Sequence, residues 1–219
     1  ALIIWVQTEP VCTMRIPVII PFKPANPKTR LSHILSQDER ERFAGAMLAD
    51  VLDAVLRAGC EPIILATEPY SYHGIVVQVS TEGLNAALDS AMSQYGGPVA
   101  IIMADCALVS PEAVRRLISG DEMMAVVPGR GGGTNAIFMR QGKLFKAHYY
   151  GQSYCKHITF AKETNISYEI VDSFRLHVDI DEEEDLVEVF LHTEGNAKQM
   201  LEYIGFKLLV THGRVGIGR

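Results

Sequence analysis

Between residues 16 and 118 the sequence alternates short apolar runs with segments of helical periodicity, and this alternation constrains the fold more than any other feature. Ile16–Ile20 reads as a buried strand despite Pro17 near its start. Ser36 and Glu39 have the spacing of a capping box. Behind them Ala44, Met47, Leu48, Val51, Leu52 and Val55 recur at helical spacing, and Gly59 closes the helix. Glu61–Ala66 and Gly74–Val79 read as further strands. A second helix carries Leu84, Leu88, Ala91 and Met92 and ends near Gly96 and Gly97. Val99–Ala104 is a fully apolar strand, and Ser110-Pro111 opens a third helix with proline at its first position. Such a pattern predicts a three-layer α/β/α fold around a mostly parallel, mixed sheet.

The second half is less regular. Met124–Pro128 and Ala136–Met139 read as strands flanking a glycine loop, and Ser153–Lys162 as a helix. Tyr168–Val171 and Leu176–Val178 read as short strands. One or two helices follow between Asp181 and Tyr203, before a last strand, Phe206–Val210. With 219 residues, 48% of them hydrophobic, the chain has enough material for one substantial core. We expect a single domain over residues 14–219 and an N-terminal extension over 1–13. Ala1–Val6 is too short to span a membrane and lacks a basic leader, so a cytoplasmic enzyme without membrane attachment is expected. The scattered Cys12, Cys60, Cys106 and Cys155 fit a reducing compartment and form no close pair of zinc-site type.

The formal charge of −6 argues against a general nucleic-acid surface. It makes the stretch Pro21–Ser32 more informative, because Lys23, Lys28 and Arg30 sit there on a proline-rich loop directly after the first strand. A cationic loop at that place suits a polyphosphate. In open α/β sheets ligands gather at the carboxyl ends of strands, where Asp105 lies. Asp179 and Asp181 face one side together if a strand persists through them, and hard carboxylate oxygens there suit magnesium. The alternative is that Asp181 caps the next helix, with Glu182, Glu183 and Glu184 as its acidic first turn. Pro128–Ala136 contains Gly131, Gly132 and Gly133, which permit close backbone approach to a ligand, followed by the hydrogen-bonding Thr134 and Asn135. A flexible surface hairpin is the competing account of that loop. Asn85 is available for a base or sugar, or simply starts a helix. Ser153 and His157 are available for a small acid, or serve as a helix cap and a partly buried ring. No acid–histidine–nucleophile order supports a hydrolase. Cations, spaced acids and a glycine loop together point to phosphoryl or nucleotidyl transfer.

From about Arg15 to Gly218 the sequence resembles the 2-phospho-L-lactate guanylyltransferases, within the broader nucleotide-sugar and molybdenum-cofactor nucleotidyltransferase folds. The resemblance rests on Ile20-Pro-Phe-Lys23 with Lys28-Thr-Arg-Leu-Ser32, Leu84-Asn85, Met103-Ala-Asp105 and Pro128–Ala136. It continues through Ser153 with His157, Val178-Asp-Ile-Asp181 with Glu184-Asp-Leu186, and Gly213-Arg-Val-Gly216. One departure is Ala104-Asp-Cys-Ala107, where the family usually has Ala-Asp-Leu-Pro. The resemblance implies a nucleotide-diphospho-sugar transferase-like fold and a homodimer. It implies transfer of GMP from GTP to 2-phospho-L-lactate with release of diphosphate, a step toward the deazaflavin coenzyme F-420 of methanogenic archaea and some bacteria. Bacterial relatives use phosphoenolpyruvate, and a sugar-phosphate or molybdopterin acceptor is a further alternative. Under this resemblance Lys23, Lys28 and Arg30 neutralise phosphates, and Asp105, Asp179 and Asp181 position Mg2+. Thr134, Asn135, Ser153 and His157 then serve the acceptor, and Asn85 the guanosine.

Overall fold

The computed structural model describes residues 15–211 and 213–219. The expected extension over residues 1–13, with Cys12, lies outside them. A seven-stranded sheet has the order β3-β2-β1-β4-β6-β5-β7. Its strands are β1 (Pro17–Phe22), β2 (Glu61–Ala66), β3 (Val76–Val79), β4 (Val99–Ile102), β5 (Met124–Pro128), β6 (Thr134–Met139) and β7 (Tyr168–Ile170). β1 pairs in parallel with both β2 and β4, and β2 with β3. β6 runs antiparallel between β4 and β5, and β7 rejoins β5 in parallel. The sheet is therefore mixed and mostly parallel, as expected.

The continuous apolar strands are explained by burial on both faces. Val18 and Ile20 of β1 enter one core while Ile19 enters the other. Ala100 and Ile102 of β4 divide from Val99 and Ile101 in the same way. Strand side chains alternate faces, so a run buried on both sides loses the polar half of the usual pattern. The first core is covered by α1 (Gln37–Arg57), which contributes Phe43, Met47, Leu48 and Val51. The second is covered by α2 (Leu84–Ser93), with Leu88 and Met92. Ser36 and Glu39 form the expected capping box at the start of α1. Gly59 follows the helix at φ +88°, a conformation that costs glycine little. α3 (Pro111–Ile118) opens with the Ser110 hydroxyl accepting from the Ala113 N–H at 3.3 Å.

The later elements are α4 (Ser153–Glu163), α5 (Phe174–His177), α6 (Leu186–His192), α7 (Asn196–Tyr203), β8 (Lys207–Thr211) and β9 (Arg214–Gly218). One expectation needs correction. The Leu176–Val178 strand is instead the single turn α5, closed by the amides of Leu176 and His177 donating to the Ser173 carbonyl at 3.0 and 2.8 Å. That turn lets Leu176 enter the core without a sheet neighbour. The expected last strand is present as β8, which forms with β9 an antiparallel hairpin separate from the main sheet and packed on α6. No helix among the described residues is long and apolar enough to cross a membrane.

Candidate active site

The chain runs from β1 through β2 to β3 on one side, then returns to place β4 on the other side of β1. The loops leaving β1 and β4 therefore diverge at their carboxyl ends and open a crevice. This geometry answers why a basic loop follows the first strand. It brings Lys28 against Asp105, 77 residues later, and against Asp181, 153 residues later. The Lys28 ammonium donates to Asp105 Oδ2 at 2.7 Å and to Asp181 Oδ1 at 2.6 Å, with only a tenth of the lysine side chain exposed. Lys28 itself is in the left-handed region at φ 49°. Arg40 clamps the preceding turn from α1 by donating to Asn26 Oδ1 at 2.9 Å and to the Pro27 carbonyl.

Arg40 is a positioning residue that sequence reading missed. Its signal was available: Arg40 shares the helical spacing of Phe43, Ala44 and Met47, so a cation lies on an otherwise apolar stripe. Arg30 sits on the exposed side, 3.8 Å from Asp181 and 3.3 Å from Glu182. Lys23, Lys28, Asp105 and Asp181 line one cleft of about 410 Å³ with Thr67, directly after β2, and Glu82, three residues after β3.

The 176–181 segment is held without a strand. Asn135 donates through Nδ2 to the carbonyls of Leu176 and His177 and to Asp179 Oδ1, at 2.9, 3.0 and 3.2 Å. The Ile180 amide donates to the Asp105 carbonyl at 3.2 Å. A Cβ on Gly129 would stand 2.4 Å from Asn135 Oδ1, which ties the start of the glycine loop to this clamp. Asp181 does not cap the next helix. Asp185 instead reaches back, its Oδ2 accepting from the amides of Asp181 and Glu182 at 3.0 and 2.9 Å, and with Glu182 forms a capping box on the single 3-10 turn Glu183–Asp185 that leads into α6. The acidic run does supply that turn, through Glu183 and Glu184, and it also pairs with basic groups: Glu182 with Arg30, Glu183 with His33 and Asp185 with Arg130.

Electrostatics follow from these contacts. Burial opposes the charge on Lys28, but Asp105 and Asp181 together outweigh it and hold its pKa above the ordinary value. Burial pushes Asp181 up, yet the Lys28 and Arg30 charges win and its pKa falls. Asp179 is raised, by burial first and the Asp105 charge second, against the pull of Asn135. Lys28 is thus ammonium and Asp181 carboxylate throughout the neutral range.

The residues expected to meet the acceptor lie elsewhere. Thr134, Ser153 and His157 are buried and form a closed network outside the cleft lining. His157 Nε2 accepts from the His148 amide at 3.1 Å, so Nδ1 carries the proton and donates to Thr134 Oγ1 at 2.9 Å. Ser153 Oγ donates to the same oxygen at 3.2 Å. Gly131, Gly132 and Gly133 form the β5–β6 turn, closed by the Gly132 amide on the Gly129 carbonyl. The Tyr154 amide at the start of α4 donates to the Gly132 carbonyl at 3.3 Å, so α4 braces the loop. Asn85 grips the backbone of Tyr149 from both sides, accepting from its N–H at 2.8 Å and donating to its carbonyl at 3.3 Å. This presents Tyr150, at φ 77° and largely exposed, to the cleft.

The donor set suits a hard divalent cation in part. Asp105 Oδ1 is buried with no partner, and Asp179 is an incompletely compensated carboxylate beside it. Among the described residues, however, no group of three His, Cys, Asp or Glu stands ready to hold a metal. The expected cage of Asp105, Asp179 and Asp181 is therefore not assembled, because Lys28 joins Asp105 to Asp181 and Asn135 holds Asp179. One or two carboxylates with nucleotide phosphates and waters would complete a magnesium shell.

Cations and acids thus gather at the switch point of a mixed α/β sheet, the place where such folds hold their ligands. The fold is similar to those of solved structures. A protein from Desulfovibrio desulfuricans G20 assigned as a nucleotide-diphospho-sugar transferase matches with TM-score 0.70 at 15% identity, over 85% of this chain and 94% of that one. A nucleotidyl transferase from Methanothermobacter matches with TM-score 0.60 at 15% identity, over 87% and 99%. The chain belongs to the family described as guanylyl transferase CofC like, whose model matches residues 16–216. Among its relatives, the 2-phospho-L-lactate guanylyltransferase of Methanosphaerula palustris is 50% identical over 92% of this chain and 96% of its own length. The enzyme of the same name from Methanospirillum hungatei is 47% identical over 95% and 96%.

Proposed function

We propose that the chain transfers GMP from GTP to 2-phospho-L-lactate and releases diphosphate, a step toward coenzyme F-420. The carrying observation is the convergence of Lys23, Lys28, Asp105 and Asp181 on one cleft at the switch point, in a chain of the guanylyl transferase family. An acceptor phosphate oxygen attacks the α-phosphorus, a new P–O–P linkage forms, and the bond to the bridging α–β oxygen breaks. The electron pair leaves on diphosphate. The attacking phosphate is already anionic near neutral pH, so no protein base is required. Mg2+, held by Asp105 with Asp179 or Asp181, would supply Lewis-acid stabilisation of the developing charge. Lys23 neutralises the triphosphate, and Arg30 screens the acidic rim. Thr67 and Glu82 line the β3 side of the cleft and are our choice for the guanine, whose N1–H and N2–H2 suit a carboxylate acceptor. Thr134, Asn135, Ser153 and His157 act from behind by fixing the walls of the acceptor end. The relatives named above favour phospholactate over phosphoenolpyruvate or a sugar phosphate. Diphosphate release should require GTP, Mg2+ and the phospho-acid together. Release from GTP alone at the same rate would contradict the reading.

A homodimer and a cytoplasmic setting belong to the same proposal. The β8–β9 hairpin exposes Leu208, Leu209, Val210 and Val215, an apolar surface of the kind a second copy covers. Light scattering across a range of concentrations should give twice the chain's 24.2 kDa. A fully active monomer would sink the dimer.

A further inference from the structure

We infer that Lys28 is the resident cation of this site before substrate arrives, holding between Asp105 and Asp181 the place that a divalent cation takes only together with a nucleoside triphosphate. The inference rests on the metal-assisted reading above and deepens it. Its ground is geometric. One ammonium nitrogen stands 2.7 Å from Asp105 Oδ2 and 2.6 Å from Asp181 Oδ1. Magnesium binds oxygens at about 2.0–2.1 Å. A metal ion bridging that oxygen pair would take the space the ammonium occupies.

The lysine is built into place rather than adventitious. Its left-handed backbone follows a turn clamped by the buried Arg40, and its side chain is nine-tenths buried. Yet the ammonium does not complete the site, because Asp105 Oδ1 remains buried without a partner. Lys28 also lines the cleft, so an incoming triphosphate offers its ammonium a second anionic partner. Phosphate oxygens draw Lys28 away, and the released carboxylates join the cation that the nucleotide brings. Metal and nucleotide then bind with mutual reinforcement, each raising the affinity of the other.

The test uses Mn2+ as the probe, with its free-ion EPR signal as the readout and no turnover involved. Without nucleotide, Lys28→Gln should bind Mn2+ at least about tenfold more tightly than wild type, and adding Asp105→Asn should remove the gain. A non-hydrolysable GTP analogue should raise wild-type Mn2+ affinity by a similar factor. Equal Mn2+ affinity in wild type and Lys28→Gln, without nucleotide, would overturn the inference. Should Lys28→Gln not fold, the wild type decides alone. Its melting temperature should rise with Mn2+ plus analogue and stay unchanged with Mn2+ alone, whereas a saturable rise with Mn2+ alone contradicts the inference. Failure of GMP transfer with every acceptor would count against the proposed reaction but would leave these binding results readable.

Discussion

Asp105→Asn should lower kcat/KM for guanylyl transfer by at least about 10²-fold while the protein stays folded. Asparagine keeps the size and one acceptor oxygen, so Lys28 retains a hydrogen bond there and its ion pair with Asp181. What disappears is the negative charge at the tip of β4, where a buried oxygen stands without a partner. Once nucleotide draws Lys28 away, this carboxylate is the best-placed protein ligand for a cation beside the transferred phosphorus. Asp179→Asn should be milder, because Asn135 already holds that carboxylate. Steady-state kinetics with circular dichroism melts would separate the two effects. Near-normal turnover by folded Asp105→Asn would remove Asp105 from the reaction.

His157→Leu should act on stability instead. The imidazole accepts from the His148 amide and donates to Thr134, and the replacement removes both bonds in a buried setting. A loss of about 2–4 kcal/mol is expected, which lowers the melting temperature by roughly 5–12 °C in a chain of this size. Burial, with a smaller contribution from His148, pushes the His157 pKa down from 6.5 to about 4. Below pH 6.5 the unfolded chain therefore takes up a proton that the folded chain refuses until about pH 4. The stability tied to the neutral ring is present above pH 6.5 and erodes as pH falls to 4, by on the order of 3 kcal/mol. Denaturant melts across that window should show the slope in wild type and its loss in His157→Leu. An unchanged slope in the variant would place the titrating group elsewhere.

Local signals carried much of the fold. The capping box at Ser36 and Glu39 and the proline opening α3 mark boundaries through contacts a few residues apart, and both were readable. The double burial of β1 and β4 was readable because neither strand leaves room for a polar alternation. Asp105 was readable for the same reason, as a carboxylate ending an apolar strand. What escaped depends on distance along the chain. Lys28 reads as a phosphate cation until the topology places it between two acids from later loops. Thr134, Ser153 and His157 read as substrate contacts because their hydrogen-bonding groups were visible and their mutual satisfaction was not. The α5 turn was mistaken for a strand because Leu176 and Val178 alternate over too few residues to distinguish the periods. Asp181 reads as a cap because it precedes an acidic run, but the turn before α6 is closed by Glu182 and Asp185, a pairing that only side-chain direction decides.

The central claim is that this cleft joins GMP to a phosphorylated three-carbon hydroxy acid. Its most direct measurement is kcat/KM for 2-phospho-L-lactate beside phosphoenolpyruvate, with GTP and Mg2+, and with ATP and CTP as nucleotide controls. The account predicts highest efficiency with GTP and 2-phospho-L-lactate, stoichiometric diphosphate, and a product joined by a P–O–P bond. A preference for phosphoenolpyruvate would overturn the acceptor while keeping the transfer. Folded, metal-supplied protein that turns over neither acceptor would contradict the account itself.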